Sequence, residues 1–234
     1  MKIIAVANGK GGVGKTTTAA HIGVNFVKRG YYTVLLDTDP LACLEDWWDG
    51  RQSDDLQLMS VPLDQLNEAI PRLREAGVEY LIIDTPGFIA HKVTELLHQA
   101  DLIMILSKAG PLDLRATRRS LAFIEDVKTP MVFVLNEVKK GTRIANDAVI
   151  ALSQRGKVAP IVHDRNDFVV SMIDGRTLEE IAGASKKGIE EVDTLGDYIL
   201  LQLGVKHPKT IDRSPVKQPT AQVIELKSKR VTKA

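Results

Sequence analysis

The sequence predicts a single doubly wound α/β domain, a mostly parallel central sheet flanked by helices on both faces. Three observations predict it. Short apolar runs alternate with amphipathic segments along most of the chain, as expected for strands buried on both faces and joined by helices. The first apolar run, Ile3-Ile4-Ala5-Val6, leads into Gly9-Lys10-Gly11-Gly12-Val13-Gly14-Lys15-Thr16-Thr17, which satisfies the phosphate-loop pattern G-x-x-x-x-G-K-[ST]. Two further runs, Leu35-Leu36-Asp37 and Leu81-Ile82-Ile83-Asp84, end in aspartate. Open α/β sheets bind ligands at such carboxyl ends of strands.

In order, the apolar runs place strands at about 2–7, 33–37, 56–60, 79–84, 101–107, 131–136 and 158–162. Helices are expected near 16–30, 41–49, 63–76, 88–99, 113–127 and 142–155, then near 166–174 and 185–203. The helix from Thr16 turns its N-terminal dipole toward bound phosphate. Asp113, and Thr177 with Glu180 three later, have the residue types of helix starts. The last helix spaces Ile189, Val192, Leu195, Ile199 and Leu203 three or four apart, so one face packs on the body.

At 234 residues the chain has the length of one domain with a sizeable core. Its 44% hydrophobic and 26% charged residues are those of a globular protein. No apolar stretch approaches the roughly 20 residues that span a bilayer, and the N-terminus has no signal-peptide pattern. Cytoplasm is the expected compartment. The lone Cys43 excludes an intramolecular disulfide and a cysteine-rich cluster. Charge is uneven: residues 205–234 hold eight basic and two acidic side chains, a net +6, and the body before them is −5. That segment, with three prolines and no aromatic residue, reads as a disordered basic tail to a domain over 1–204. It is either a solubilising extension or an auxiliary grip on an anionic polymer or surface.

The loop chemistry follows from its residues. Glycines let the N–H groups of Gly11, Gly12, Val13, Gly14 and their neighbours turn inward as an anion nest. Lys15 reaches the β- and γ-phosphates, and the Thr16 hydroxyl ligates Mg²⁺, with Thr17 completing the turn into the helix. Asp84 is the Walker B-type carboxylate that holds the metal, often through water. Base choice follows from an absence: Leu135-Asn136-Glu137-Val138 lacks the aspartate of the guanine-reading N-K-x-D motif, so ATP is expected. Asn136 either hydrogen-bonds adenine or caps its own loop. The five histidines show no metal spacing, and Trp47 and Trp48 read as helix packing over the nucleotide edge.

Lys10 is surplus to an ordinary phosphate loop. Lys10-Gly11-Gly12-Val13-Gly14-Lys15-Thr16-Thr17 resembles the deviant Walker A loop of the ParA/MinD group of ATPases. The resemblance covers about residues 2–203. It is strongest to the short, ParF-like plasmid-partition type, through Asp37-Thr38-Asp39-Pro40 with Trp47, Pro111-Leu112-Asp113, and Ser171-Met172-Ile173-Asp174-Gly175. It implies an ATPase in which Lys10 crosses a dimer interface to the partner's nucleotide, Asp37 supports Mg²⁺ and Asp39 orients the attacking water. It also implies an ATP-bound homodimer on non-specific DNA in the nucleoid, and a ParB-type adaptor that stimulates hydrolysis. Arg165, Lys186 and Lys187 resemble the DNA-binding positions, and Arg176 joins them. Arg115, Arg118 and Arg119 share one helical face that serves either DNA or the dimer interface. Leu41 replaces the glutamine usual after D-x-D-P, and the basic tail lies outside the pattern. A MinD-like membrane switch needs an amphipathic C-terminal helix, and the tail has no aromatic anchor for one. No constellation for a small substrate supports a P-loop metabolic ligase. No membrane contact is expected.

Overall fold

The runs expected as strands are apolar enough to be buried on both sides, and seven of them form one all-parallel sheet. The computed structural model describes residues 1–88 and 91–214. Its strands are β1 (Lys2–Ala7), β2 (Thr33–Asp37), β3 (Gln57–Ser60), β4 (Tyr80–Asp84), β5 (Leu102–Ser107), β6 (Met131–Leu135) and β7 (Lys157–Val158), ordered β3-β2-β4-β1-β5-β6-β7. The connection after β1 leads to one side of it and the connection after its neighbour β5 leads to the other, so the loop after β1 opens where strand order reverses. Among the described residues eight helices cover the faces: α1 (Lys15–Lys28), α2 (Cys43–Asp49), α3 (Leu66–Glu75), α4 (His91–Gln99), α5 (Pro111–Ala122), α6 (Arg143–Ser153), α7 (Asn166–Ser171) and α8 (Lys186–Gln202).

Alternation along the strands divides the core. Ile4, Val6, Leu35, Ile82, Met104 and Val132 face one layer with Phe26 of α1 and Ile199 of α8. Ala5, Ile103, Ile105 and Phe133 face the other layer with α4 and α6, and Ile3, Leu36 and Ile83 continue it toward α3. Helices α1 and α8 cross closely. A Cβ at Gly196 would stand 2.3 Å from Asn25 Oδ1, so this crossing requires glycine.

Four expectations shift for local reasons. The last strand was expected over 158–162, but Pro160 has no N–H to continue the ladder. The chain still runs beside β6, with Ala159 N–H on the Phe133 carbonyl (2.8 Å) and Val162 N–H on that of Leu135 (3.0 Å). Helix α5 starts at Pro111, with Gly110 as its cap, so Asp113 lies in the first turn and does not cap it. Thr177 and Glu180 do form a reciprocal capping box, but it closes only one 3₁₀ turn, Leu178–Glu180. The first ten residues of the expected tail, 205–214, lie on the body. Arg29 Nη1 donates to the Lys209 carbonyl (3.2 Å), Asp212 N–H donates to the Lys28 carbonyl (2.7 Å), and Arg213 pairs with Asp193 (2.7 Å) and Glu179 (3.4 Å). Residues 215–234 lie outside the described residues. Among those described, no helix is long and apolar enough to cross a membrane.

Candidate nucleotide site

The phosphate loop bends where glycine is required. Gly12 and Gly14 have φ of +71° and +86°, a region that costs other residues about 1–2 kcal/mol. Gly14 is also the N-cap of α1, and a Cβ there would stand 2.1 Å from Asn136 Nδ2. Asn136 is spent on the loop itself: its Nδ2 donates to the Val13 carbonyl at 3.0 Å. It therefore buttresses the nest through one N–H of its amide. Glu137, next in the chain, has a φ of +53° and pairs with Lys108 at 2.5 Å.

Lys15 is buried at the start of α1. Burial pulls its ammonium below the usual lysine range, against the opposing fields of Asp84 and Asp39. Beside it, parallel pairing of β2 with β4 sets Asp37 directly opposite Asp84. Asp84 is 1% exposed, and burial, reinforced by the charges of Asp37 and Asp39, raises it to about 7. The Thr16 hydroxyl donates to Asp84 Oδ2 at 2.5 Å. Asp84 Oδ1 is buried with no hydrogen-bond partner among the described residues. A buried carboxylate oxygen without a donor, next to a threonine hydroxyl and a second carboxylate, fits a hard divalent cation. Magnesium typically takes only one or two carboxylates and completes its shell with phosphate and water. Thr16, Asp84 and Asp37 would hold it here.

Asp37 also has a structural task. Its Oδ2 accepts the N–H groups of Leu44 (3.0 Å) and Glu45 (3.1 Å), capping α2, and its Oδ1 accepts Asp39 N–H at 3.0 Å. Burial raises its carboxyl even so. Asp39 Oδ1 closes a turn on Leu41 N–H at 3.0 Å, and the same turn places the non-glycine Ala42 at φ +53°. Leu41, which stands in place of a glutamine, projects outward with 75% of its surface exposed.

Lys10 is held on the α5 side of the loop. Its ammonium, 42% exposed, pairs with Asp113 of α5 at 2.5 Å. That contact is one of four from the same helix, among them a bond that Ser120 Oγ donates to Asn8 Oδ1 at 3.1 Å. Ser120 Oγ accepts Gly9 N–H at 3.0 Å, and Thr117 Oγ1 accepts from Asn8 Nδ2 at 3.2 Å. Asn8 Oδ1 in turn accepts Lys10 N–H at 3.1 Å, and Asn8 Nδ2 also donates to the Leu106 carbonyl. Asn8, Asp113, Thr117 and Ser120 were not singled out for this role. The readable signal is the 113/117/120 spacing, which puts three polar side chains on one face of a helix.

The expected DNA-binding residues divide. Arg165 is held by Glu191, which also binds His163 (2.8 Å), and Arg176 pairs with Asp174 at 2.7 Å. Lys186 and Lys187 are exposed at the start of α8. A buried link from α1 to this region was missed. His21 Nδ1 lies 2.7 Å from the Thr17 carbonyl, so that nitrogen carries the proton, and Nε2 accepts Leu178 N–H at 3.3 Å. Burial lowers the His21 imidazole to about 4. Nearby, Arg51 is buried between Asp55 and Glu180, each at 2.7 Å.

A glycine nest at the head of a helix, a buried lysine and a buried carboxylate beside a threonine hydroxyl at the carboxyl edge of a parallel sheet define a phosphate-loop nucleotide-binding protein. The chain belongs to the family of CobQ/CobB/MinD/ParA nucleotide binding domains, whose model matches residues 4–178. It is similar to the maintenance of carboxysome distribution protein A of Halothiobacillus neapolitanus, 24% identical over 211 residues, covering 84% of this chain and 95% of the relative. The septum site-determining protein MinD of Pyrococcus horikoshii, complexed with Mg-ADP, superposes with a TM-score of 0.71 at 16% identity, covering 88% of this chain and 98% of that one. A plasmid partition protein of Borrelia burgdorferi superposes at 0.66, also 16% identical, covering 86% and 99%. At these identities the two structures establish the shared fold, the doubly wound parallel sheet expected from the sequence.

Proposed function

We propose that this protein is an ATP-hydrolysing positioning or partition switch: an ATP-bound homodimer on non-specific DNA, discharged by a ParB-type adaptor. The observation that carries the reading is the second lysine. Lys15 is buried at the start of α1, whereas Lys10, at the entrance of the same loop, is half-exposed and held by the single carboxylate of Asp113. A cation in that place serves a nucleotide held by another subunit. In the hydrolytic step the loop N–H groups and Lys15 bind the phosphates and neutralise charge as the γ-phosphoryl leaves. Thr16, Asp84 and Asp37 would hold Mg²⁺, which would supply further neutralisation of phosphate charge. Asp39, released from its turn with Leu41, holds the attacking water, and the partner's copy of the Lys10 ammonium stabilises the developing charge. Lys186 and Lys187 are free to meet DNA, whereas Arg165 and Arg176 each bring a paired carboxylate with them. The nucleoid is the matching location. A protein cargo is the second reading, supported by the relative named for carboxysome distribution, aligned over 95% of its length.

Sedimentation with a slowly hydrolysed ATP analogue tests the central claim. The native protein should shift to a dimer, and Lys10→Ala should bind nucleotide yet stay monomeric. Normal dimerisation of that variant would remove the cross-subunit role.

A further inference from the structure

Helix α5 has two working faces. Inward, Asp113, Thr117 and Ser120 grip Lys10, Asn8 and Gly9 at the entrance of the phosphate loop. Outward, Arg115, Arg118 and Arg119 are all exposed, and among the described residues none of their side chains has an ion pair or a hydrogen bond. Exposed arginines are common, and their exposure alone decides nothing. Two things set these apart. The body through Gly204 is net −5, so three unpaired positive charges within two turns make a local contrast. By contrast Arg165, Arg176 and Lys108 are each neutralised in place, by Glu191, Asp174 and Glu137.

We infer that the outward face of α5 is a docking surface for the phosphate backbone of duplex DNA. The inference rests on the DNA-binding reading above and gives it a location. Side chains three or four apart on a helix stand about 5–6 Å from one another. Guanidinium groups at that spacing reach neighbouring phosphates of one strand, which recur every ~3.4 Å along the axis. Their planar forks match phosphate oxygens two at a time. No carboxylate interrupts the face between Arg115 and Arg119. The inward contacts give the surface its dependence on nucleotide state. Any movement of Lys10 or Asn8 is passed to α5 through side chains already bonded to it.

The test uses the full chain with a slowly hydrolysed ATP analogue and a labelled 30-base-pair duplex of arbitrary sequence, a length of about three helical turns. Anisotropy is read over a series of salt concentrations. Arg115→Gln/Arg118→Gln/Arg119→Gln should weaken binding about tenfold or more and cut the slope of log K against log salt by about 2–3, near 0.9 for each phosphate left without its arginine. The matching Arg→Lys triple should keep most of the slope. Nucleotide affinity and analogue-driven dimerisation should not change in either. Four results overturn the proposal. If the Gln triple keeps the native slope, the face is only solvated. If the Gln triple fails to dimerise, the face is a subunit contact. If it loses anionic vesicles and keeps DNA, the ligand is a membrane. If the native protein binds no duplex at any salt, the DNA-binding reading of the whole protein falls with it.

Discussion

Acidification should destabilise this protein through His21. The imidazole is 3% exposed, donates from Nδ1 to Thr17 and accepts from Leu178, an arrangement that only the neutral ring can make. Burial outweighs the nearby Glu180 carboxylate, and the folded-state pKa falls from 6.5 to about 4. Between those values the unfolded chain binds a proton that the folded chain refuses, so stability rises with pH across the window. His21 therefore contributes nothing unfavourable above about 6.5 and costs increasingly more as pH falls toward 4. The full gap is worth about 3 kcal/mol at roughly 1.4 kcal/mol per pH unit, of which about 2 kcal/mol is lost by pH 5. Urea unfolding of the native protein and of His21→Gln at pH 7.5 and pH 5 measures it. The variant starts less stable, but its further loss on acidification should be smaller than the native loss by about 2 kcal/mol. Taking this double difference cancels the other titrating groups. Equal acid sensitivity in both proteins would show that His21 is hydrated or protonated in the folded state.

Further outcomes follow from the same geometry. Arg51→Ala leaves Asp55 and Glu180 buried without their cation. It should lower unfolding free energy by about 3–5 kcal/mol in urea titrations. Gly14→Ala combines a φ of +86° with a Cβ 2.1 Å from Asn136 Nδ2. Calorimetry should find no nucleotide binding, and adding Asn136→Ala should restore it only in part, because backbone strain of about 1–2 kcal/mol remains. Asp39→Ala should slow single-turnover hydrolysis about a hundredfold or more while nucleotide affinity stays within a few-fold. An unchanged rate would leave Asp39 as a turn residue only.

What could be read in the sequence, and what could not, divides by distance along the chain. Parallel strands with both faces buried are near-continuous apolar runs, so β1, β2, β4 and β5 announce themselves. Their aspartates and the phosphate loop are local patterns as well. That β2 and β4 pair so as to set Asp37 opposite Asp84 was supplied by the fold. Pairings between distant residues leave no such trace. Arg165 waits for Glu191, Arg51 for Glu180, and Asn136 for Val13, more than a hundred residues away. The strap over 205–214 was hidden for the same reason. Its composition is that of a solvated tail, and the groups that hold it, Lys28, Arg29, Glu179 and Asp193, belong to elements that meet only in the fold. Asp113 shows the limit of a residue-type rule: its side chain was available to cap a helix and is used on Lys10.

The strap also determines where instruments can be attached. Lys2 N–H donates to the Glu79 carbonyl, and Lys209 lies 3.9 Å from the Glu79 side chain, so the described chain begins and closes at one corner of the molecule. That corner is the amino edge of the sheet. The phosphate loop opens at the other edge, beyond the six residues of β1, about 20 Å away at the usual rise of a strand. A fluorophore or surface tether on the Met1 side therefore stands behind the nucleotide, clear of Lys10 and of the α5 arginines. The dimerisation proposed above could be followed there in real time without a label entering the phosphate-loop face.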